Sequence, residues 1–142
     1  MQLFRRVLIT LLLLFSVSSA LDVKDRRLVS LKKDEQTRIL VKYAQYKRLF
    51  TFRWTLYKNE GLVVFRSYDK KVAQNILYLN HINQSFKLLI KAKGADFYNV
   101  PYFLVKFKEF NVKKHEAVFE IFLSDSRDQI RLKYLKKGEK VK

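Results

Sequence analysis

Residues 49–58 place apolar and polar side chains at alternate positions, which is the repeat of a half-buried β-strand. The apolar face of this segment carries Phe50, Phe52, Trp54 and Leu56. The same alternation predicts seven further strands, at residues 39–43, 62–68, 76–80, 86–90, 103–108, 117–123 and 130–134. Helical spacing is nearly absent, so the sequence predicts an all-β protein.

The breaks between these segments are short and polar, which favours antiparallel neighbours because parallel strands need long crossover connections. About eight short strands in one domain are typical of a mostly antiparallel β-sandwich or a small closed barrel. Residues 22–36 contain helix formers but could also form an edge strand, and we favour the strand.

Residues 1–20 have the three parts of a secretory signal: Arg5 and Arg6, an apolar run at 7–15, and small residues at Ser18 and Ala20. We expect cleavage after Ala20, with Ser18 as the second choice, leaving a single domain at 21–142 in the periplasm or outside the cell. The alternative is a retained anchor, but the apolar run is shorter than the about 20 residues that span a membrane. An outer-membrane barrel is disfavoured because most runs are shorter than the about 9 to 11 residues of its strands.

The chain contains no cysteine, which excludes disulfides, thiolate metal sites and cysteine nucleophiles. This fits a bacterial periplasmic protein better than a small secreted eukaryotic domain. His81 and His115 fall in predicted turns without a second ligand at metal spacing, and three glycines cannot build a phosphate-binding loop. We therefore predict no catalytic residues, no metal and no cofactor.

The segment Asn59-Glu60-Gly61 predicts a three-residue hairpin loop with Gly61 at positive φ. Lys58 would then pair with Leu62, and Arg66 would lie opposite Trp54 in a cation–π contact. One interpretation makes Trp54 and Arg66 a contact site for a ligand or partner. The other makes this face part of the core, with Arg66 at its margin.

The connection at 94–102 combines large aromatic residues with the single proline of the chain. Phe97, Tyr98 and Tyr102 are candidates for contact with a protein partner, since loops on a rigid scaffold often carry binding. The alternative is a loop that packs over one end of the domain.

Positive charge is the strongest chemical signal, because 30 Lys and Arg oppose 13 Asp and Glu. Removal of the signal would lower the net charge from +17 to +15. Six basic residues on the polar faces of predicted strands are anion-binding candidates: Lys87, Lys91, Lys106, Lys108, Arg131 and Lys133. A basic sheet surface attracts polyanions, although exposed lysines also serve solubility.

These features predict a non-enzymatic binding or assembly factor that contacts anionic envelope components. The secretory signal argues against nucleic acid as the partner. The alternative is a protein-interaction module that docks an envelope protein through its aromatic loop or a sheet edge.

Overall fold

The computed structural model describes residues 23–90 and 100–142, which form nine β-strands. Within these ranges no helix is long and apolar enough to cross a membrane. The strands are β1 (Val23–Lys32), β2 (Thr37–Tyr43), β3 (Tyr46–Lys58), β4 (Gly61–Tyr68), β5 (Lys71–Tyr78), β6 (Ser85–Leu89), β7 (Tyr102–Asn111), β8 (Glu116–Ser124) and β9 (Ile130–Tyr134). The predicted signal at residues 1–20 lies outside the described residues.

The strands form two antiparallel sheets packed as a sandwich, and they do not close into a barrel. The four-stranded sheet has the order β1-β8-β7-β6, and the five-stranded sheet has the order β5-β4-β3-β2-β9. The chain passes from one sheet to the other after β1, β5 and β8. The all-β prediction is confirmed. The ambiguous segment at 22–36 contains β1, which is the ninth strand in addition to the eight that alternation predicts.

Aromatic side chains from both sheets meet in the core. Phe50 stacks on Phe103 with ring centroids 5.0 Å apart, and Phe52 packs edge-on against Phe119 at 5.2 Å. The predicted inner faces of β7 and β8 are confirmed, because their alternate residues are buried. These residues are Phe103, Val105, Phe107, Ala117, Phe119, Ile121 and Leu123.

A bulge in β3 changes which side chains face the core. Trp54 pairs with Val64 and Leu56 pairs with Val63, so Thr55 is an extra residue in β3. A bulge of this kind reverses the alternation beyond it. Leu56 is therefore 49% exposed, and the prediction that it joins the core is wrong. Tyr57 takes the inward position and stacks on Phe110 at 3.9 Å.

The turn between β3 and β4 has two residues rather than the predicted three. Lys58 pairs with Gly61, and Asn59 and Glu60 have φ of 52° and 65°, as in a type I′ turn. Gly61 does not adopt the predicted positive φ. It instead lies under the Tyr78 ring, where an added Cβ would meet Cε1 at 3.0 Å.

The shorter turn and the bulge together shift the register that the sequence predicted. Trp54 lies opposite Val64, and Arg66 lies opposite Phe52. The predicted cation–π contact between Trp54 and Arg66 is therefore wrong. The Arg66 guanidinium instead lies over the Phe86 ring of the other sheet, 4.9 Å from the ring centroid.

Candidate anion-binding faces

The strands of the five-stranded sheet contain no acidic residue. They contain ten basic residues, namely Arg38, Lys42, Lys47, Arg48, Arg53, Lys58, Arg66, Lys71, Arg131 and Lys133. Every acidic residue among the described ranges lies in the four-stranded sheet, in a connection or in the segment that follows β9. Folding therefore separates the charges of the chain between the two layers.

Three of these basic residues form a row across the outer face of the five-stranded sheet. Arg131 pairs with Lys42, and Lys42 pairs with Lys47, so the three lie side by side on β9, β2 and β3. Neighbouring strands are about 4.8 Å apart, and like charges directly opposite each other destabilise a sheet. We call Arg131, Lys42 and Lys47 the basic row.

The basic row is only partly neutralised. Arg131 forms an exposed ion pair with Asp128 at 3.1 Å, and Lys47 donates a hydrogen bond to the Lys142 carbonyl at 3.4 Å. Lys42 is exposed and has no ion pair among residues 23–90 and 100–142. The fold therefore carries repulsive charge at this position without a compensating acid on the sheet.

The segment that follows β9 contacts the outer face beside the basic row through Glu139 and Lys142. Arg38 donates a hydrogen bond to the Glu139 carbonyl at 2.6 Å, and Lys133 forms an ion pair with the Glu139 carboxylate at 2.8 Å. The hydrogen bond from Lys133 and that from the Lys136 amide lower the pKa of Glu139. Arg38 and Lys133 are thus occupied within the protein, whereas Lys42 is not.

The outer face of the four-stranded sheet holds its cations around a buried acid. Glu120 is 3% exposed and accepts a hydrogen bond from Arg26 at 2.9 Å, with the Lys108 ammonium at 3.7 Å. Lys106 lies directly opposite Glu120. Lys87 lies over the Tyr102 ring, 4.0 Å from its centroid. This face is therefore less basic than its lysines suggest.

The predicted anion-binding residues do not form one surface. Lys87, Lys106 and Lys108 lie on β6 and β7, and Arg131 and Lys133 lie on β9 of the other sheet. Lys91 lies outside the described residues. The sequence prediction omitted Lys42 and Lys47, although alternation over residues 39–43 puts Lys42 on the face opposite the apolar residues Ile39, Val41 and Tyr43.

The structure also does not bring the predicted ligand and partner contact residues together into one site. Trp54 is 2% exposed, so its indole is not open to a partner. Tyr102 is half-buried beside Lys87, and Phe97 and Tyr98 lie outside the described residues. Arg66 is half-buried at the margin of the core face.

A groove of about 880 Å³ opens between β1 and the segment that follows β9. The Arg27 guanidinium lies over the Tyr134 ring at 4.0 Å on one side of this groove. Burial raises the pKa of Tyr134 to about 12, so its hydroxyl is neutral under ordinary conditions. Basic and acidic side chains both line the groove, including Lys32, Lys33 and Glu35.

The loop between β8 and β9 is fixed by one buried carboxylate. Asp125 Oδ2 accepts hydrogen bonds from the Ile130 amide at 2.7 Å and from the Lys24 ammonium at 2.9 Å. Burial alone would raise the pKa of Asp125, but these hydrogen bonds and the Lys24 charge outweigh it and lower the pKa. Lys24 also contacts Asp128 at 2.6 Å, so the loop is tied to β1.

The described ranges contain no group of three or more His, Asp or Glu residues placed to hold a metal ion. His81 accepts a hydrogen bond from the Asn83 amide at 3.2 Å, and His115 lies in the β7–β8 turn with φ of 51°. Both histidines therefore occupy turns, as the sequence predicted.

No protein-family model matches this chain, and no curated protein or solved structure matches it either.

Proposed function

We propose that the protein is a secreted or periplasmic, non-enzymatic binding protein that contacts an anionic envelope surface through its five-stranded sheet. The observation that carries the proposal is the basic row on a sheet whose strands contain no acid. Folding gains nothing from like charges placed opposite each other. An anionic partner would neutralise them.

The physical basis is the summed field of a flat basic surface. Such a field attracts polyanions and raises their rate of capture. Each Lys or Arg close to an anionic lipid surface contributes about 1 kcal/mol, and the attraction falls off within a Debye length of about 10 Å at 0.1 M salt. Binding should therefore be strong at low ionic strength and weak at high ionic strength.

The experiment is co-sedimentation with vesicles of phosphatidylglycerol and phosphatidylcholine at increasing salt. The test variant carries Lys42→Gln and Lys47→Gln, and the matched control carries Lys113→Gln and Lys114→Gln in the exposed β7–β8 turn. Both variants lose two charges. We expect the test variant to bind about tenfold or more weakly than the control.

Two results would contradict this proposal. The first is that the wild-type protein does not bind the anionic vesicles even at low ionic strength. The second is that the test variant and the control bind equally, because then net charge rather than the basic row would govern binding.

The edge strand β5 favours a second candidate function, a protein-interaction module. Val72 and Ile76 on its outer face are 71% and 45% exposed, and Lys71 is its only charged residue. The edge strand β1 differs, since it carries five charged residues of the kind that block strand addition. A partner strand could add to β5 and form backbone hydrogen bonds.

This second candidate predicts an envelope protein that co-purifies at high salt and is lost with Ile76→Lys. If the envelope protein still co-purifies with the Ile76→Lys variant but not with a Phe97→Ala and Tyr98→Ala variant, the interaction belongs to the aromatic loop instead. If no envelope protein co-purifies at high salt, the result favours the anionic-surface function.

A further inference from the structure

Three basic residues of the five-stranded sheet, Arg48, Arg66 and Lys71, lie on its inner face rather than on its outer face. Arg48 pairs with buried Val41, and Lys71 pairs with buried Tyr68. Arg66 pairs with buried Phe52, so it shares the core face as well. The three cations thus lie on the same face as the apolar core, at the edge of the sandwich.

These residues line a pocket of about 370 Å³ at the edge that β4, β5 and β6 share. This volume lies in the range of small-molecule sites, about 300 to 1,000 Å³. We call it the inner arginine pocket. The residues that line it include Arg48, Arg66, Asp69, Lys71, Ala73 and Leu88.

Arg66 is a half-buried charge of the inner arginine pocket that has no ion-pair partner among the described residues. Its Nε donates to Asn75 Oδ1 at 2.9 Å, and its guanidinium lies over Phe86 at 4.9 Å. Neither Nη atom has a hydrogen bond or a carboxylate partner within the described ranges. Burial removes part of the hydration of the guanidinium and therefore lowers its pKa.

The one acid of the pocket does not neutralise Arg66. Asp69 Oδ2 lies 3.6 Å from Arg48 Nη1. Arg48 also donates a hydrogen bond to the Tyr68 hydroxyl. Burial raises the pKa of Tyr68, and this hydrogen bond offsets part of the rise. Arg66 and Lys71 therefore give the pocket a net positive charge.

We propose that the inner arginine pocket binds an amphiphilic anion, with its oxyanion at Arg66 and a short apolar chain against Leu88 and Ala73, which lie on the inner faces of β6 and β5. A guanidinium whose two Nη groups have no partner among residues 23–90 and 100–142 can hold a carboxylate or a phosphate with paired hydrogen bonds. An apolar wall beside a half-buried cation suits an anion that carries a hydrocarbon chain. This site lies on the inner side of the sheet and is independent of the basic row.

The experiment is isothermal titration of the full chain with octanoate, octyl phosphate and octanol. Octanoate and octyl phosphate distinguish a carboxylate from a phosphate headgroup, and octanol has the same chain without charge. We expect saturable binding of at least one anion, with octanol bound about tenfold or more weakly, as the loss of charge-assisted hydrogen bonds implies.

A matched pair of variants tests the role of Arg66. Arg66→Met removes the guanidinium and keeps an apolar stem, and Arg53→Met removes the same charge from the exposed outer face of the same sheet. We expect Arg66→Met to weaken anion binding about tenfold or more and Arg53→Met to leave it unchanged. Lys42→Gln with Lys47→Gln should also leave it unchanged, which separates this site from vesicle binding.

Three results would overturn the proposal: no saturable binding of either anion, equal binding of octanol, or equal weakening by Arg66→Met and Arg53→Met. If Arg66→Met does not fold, as circular dichroism would show, the comparison of octanoate and octyl phosphate with octanol on the wild-type protein decides the question.

Discussion

The indole nitrogen of Trp54 donates a hydrogen bond to the backbone oxygen of Leu31 at 2.8 Å, which joins β3 of one sheet to β1 of the other. A second bond runs from the Asp34 amide to the Trp54 carbonyl at 2.9 Å. Trp54 also packs edge-on against Phe110 at 5.5 Å. One residue thus closes this end of the sandwich by packing and by hydrogen bonding.

Trp54→Ala should therefore lower the free energy of unfolding by about 3 to 5 kcal/mol, because it leaves a cavity and an unpaired buried carbonyl. Urea denaturation followed by circular dichroism measures this loss. Leu56→Ala is the control, since Leu56 is a large apolar residue on the same strand that faces solvent. Equal and small effects of the two substitutions would show that Trp54 is not a core residue.

Glu60→Gly should raise the melting temperature. Glu60 has φ of 65°, a conformation that costs a residue with a Cβ about 1 kcal/mol, and Asn-Gly is the preferred pair for a type I′ turn. Glu60→Ala removes the same carboxylate but keeps a residue with a Cβ at positive φ, so it is the matched control. Scanning calorimetry of both variants makes the test, and equal melting temperatures would contradict the two-residue turn.

Asp125→Asn should reduce stability at pH 7 by about 2 kcal/mol, the value of hydrogen bonds to a charged group. The folded state lowers the pKa of Asp125, so its carboxylate stabilises the protein above the unfolded value of about 3.9. That contribution is lost as the pH falls through the lower, folded pKa.

The difference between wild-type protein and Asp125→Asn in urea midpoint should accordingly shrink below pH 4. Asp34→Asn is the control, since it makes the same change in an exposed turn. A difference that stays constant from pH 7 to pH 2 would show that the Asp125 carboxylate does not contribute through its charge.

Lys42→Glu should stabilise the fold and weaken binding to anionic vesicles. It places an acid between Arg131 and Lys47, and opposite-charge pairs across strands contribute about 0.2 to 1 kcal/mol. The gain in stability should disappear in 1 M salt, where the Debye length is about 3 Å.

Chemical denaturation with urea at low and high salt measures this gain, with Lys113→Glu as the control for net charge. If Lys42→Glu destabilises the protein at low salt relative to that control, the basic row is not repulsive.

The alternation of side chains predicted most strands and their buried faces because burial of one face imposes a period of two. It could not predict the register of β3 and β4. The bulge at Thr55 and the positive φ of Glu60 depend on contacts such as those of Tyr57 with Phe110 and Tyr78 with Gly61. Residues distant in sequence make those contacts.

Which basic residues become neighbours depends on the order of the strands in each sheet, and the alternation of side chains does not predict that order. Arg131 lies beside Lys42 only because β9 pairs with β2. Lys106 lies on β7, in the other sheet. For a similar reason, the sequence did not predict the inner arginine pocket. Arg66 could be placed at the margin of a core face from the sequence, but its neighbours Phe86 and Leu88 come from β6 of the other sheet.

The distribution of charge between the layers gives the sandwich an electric dipole across its thickness. The strands of the five-stranded sheet carry ten basic and no acidic residues, whereas those of the four-stranded sheet carry seven basic and four acidic residues. Near an anionic surface this dipole would rotate the molecule before contact, so that the five-stranded sheet arrives first. The four-stranded sheet, with Tyr102 and Lys87, would then face outward and stay accessible while the protein is bound.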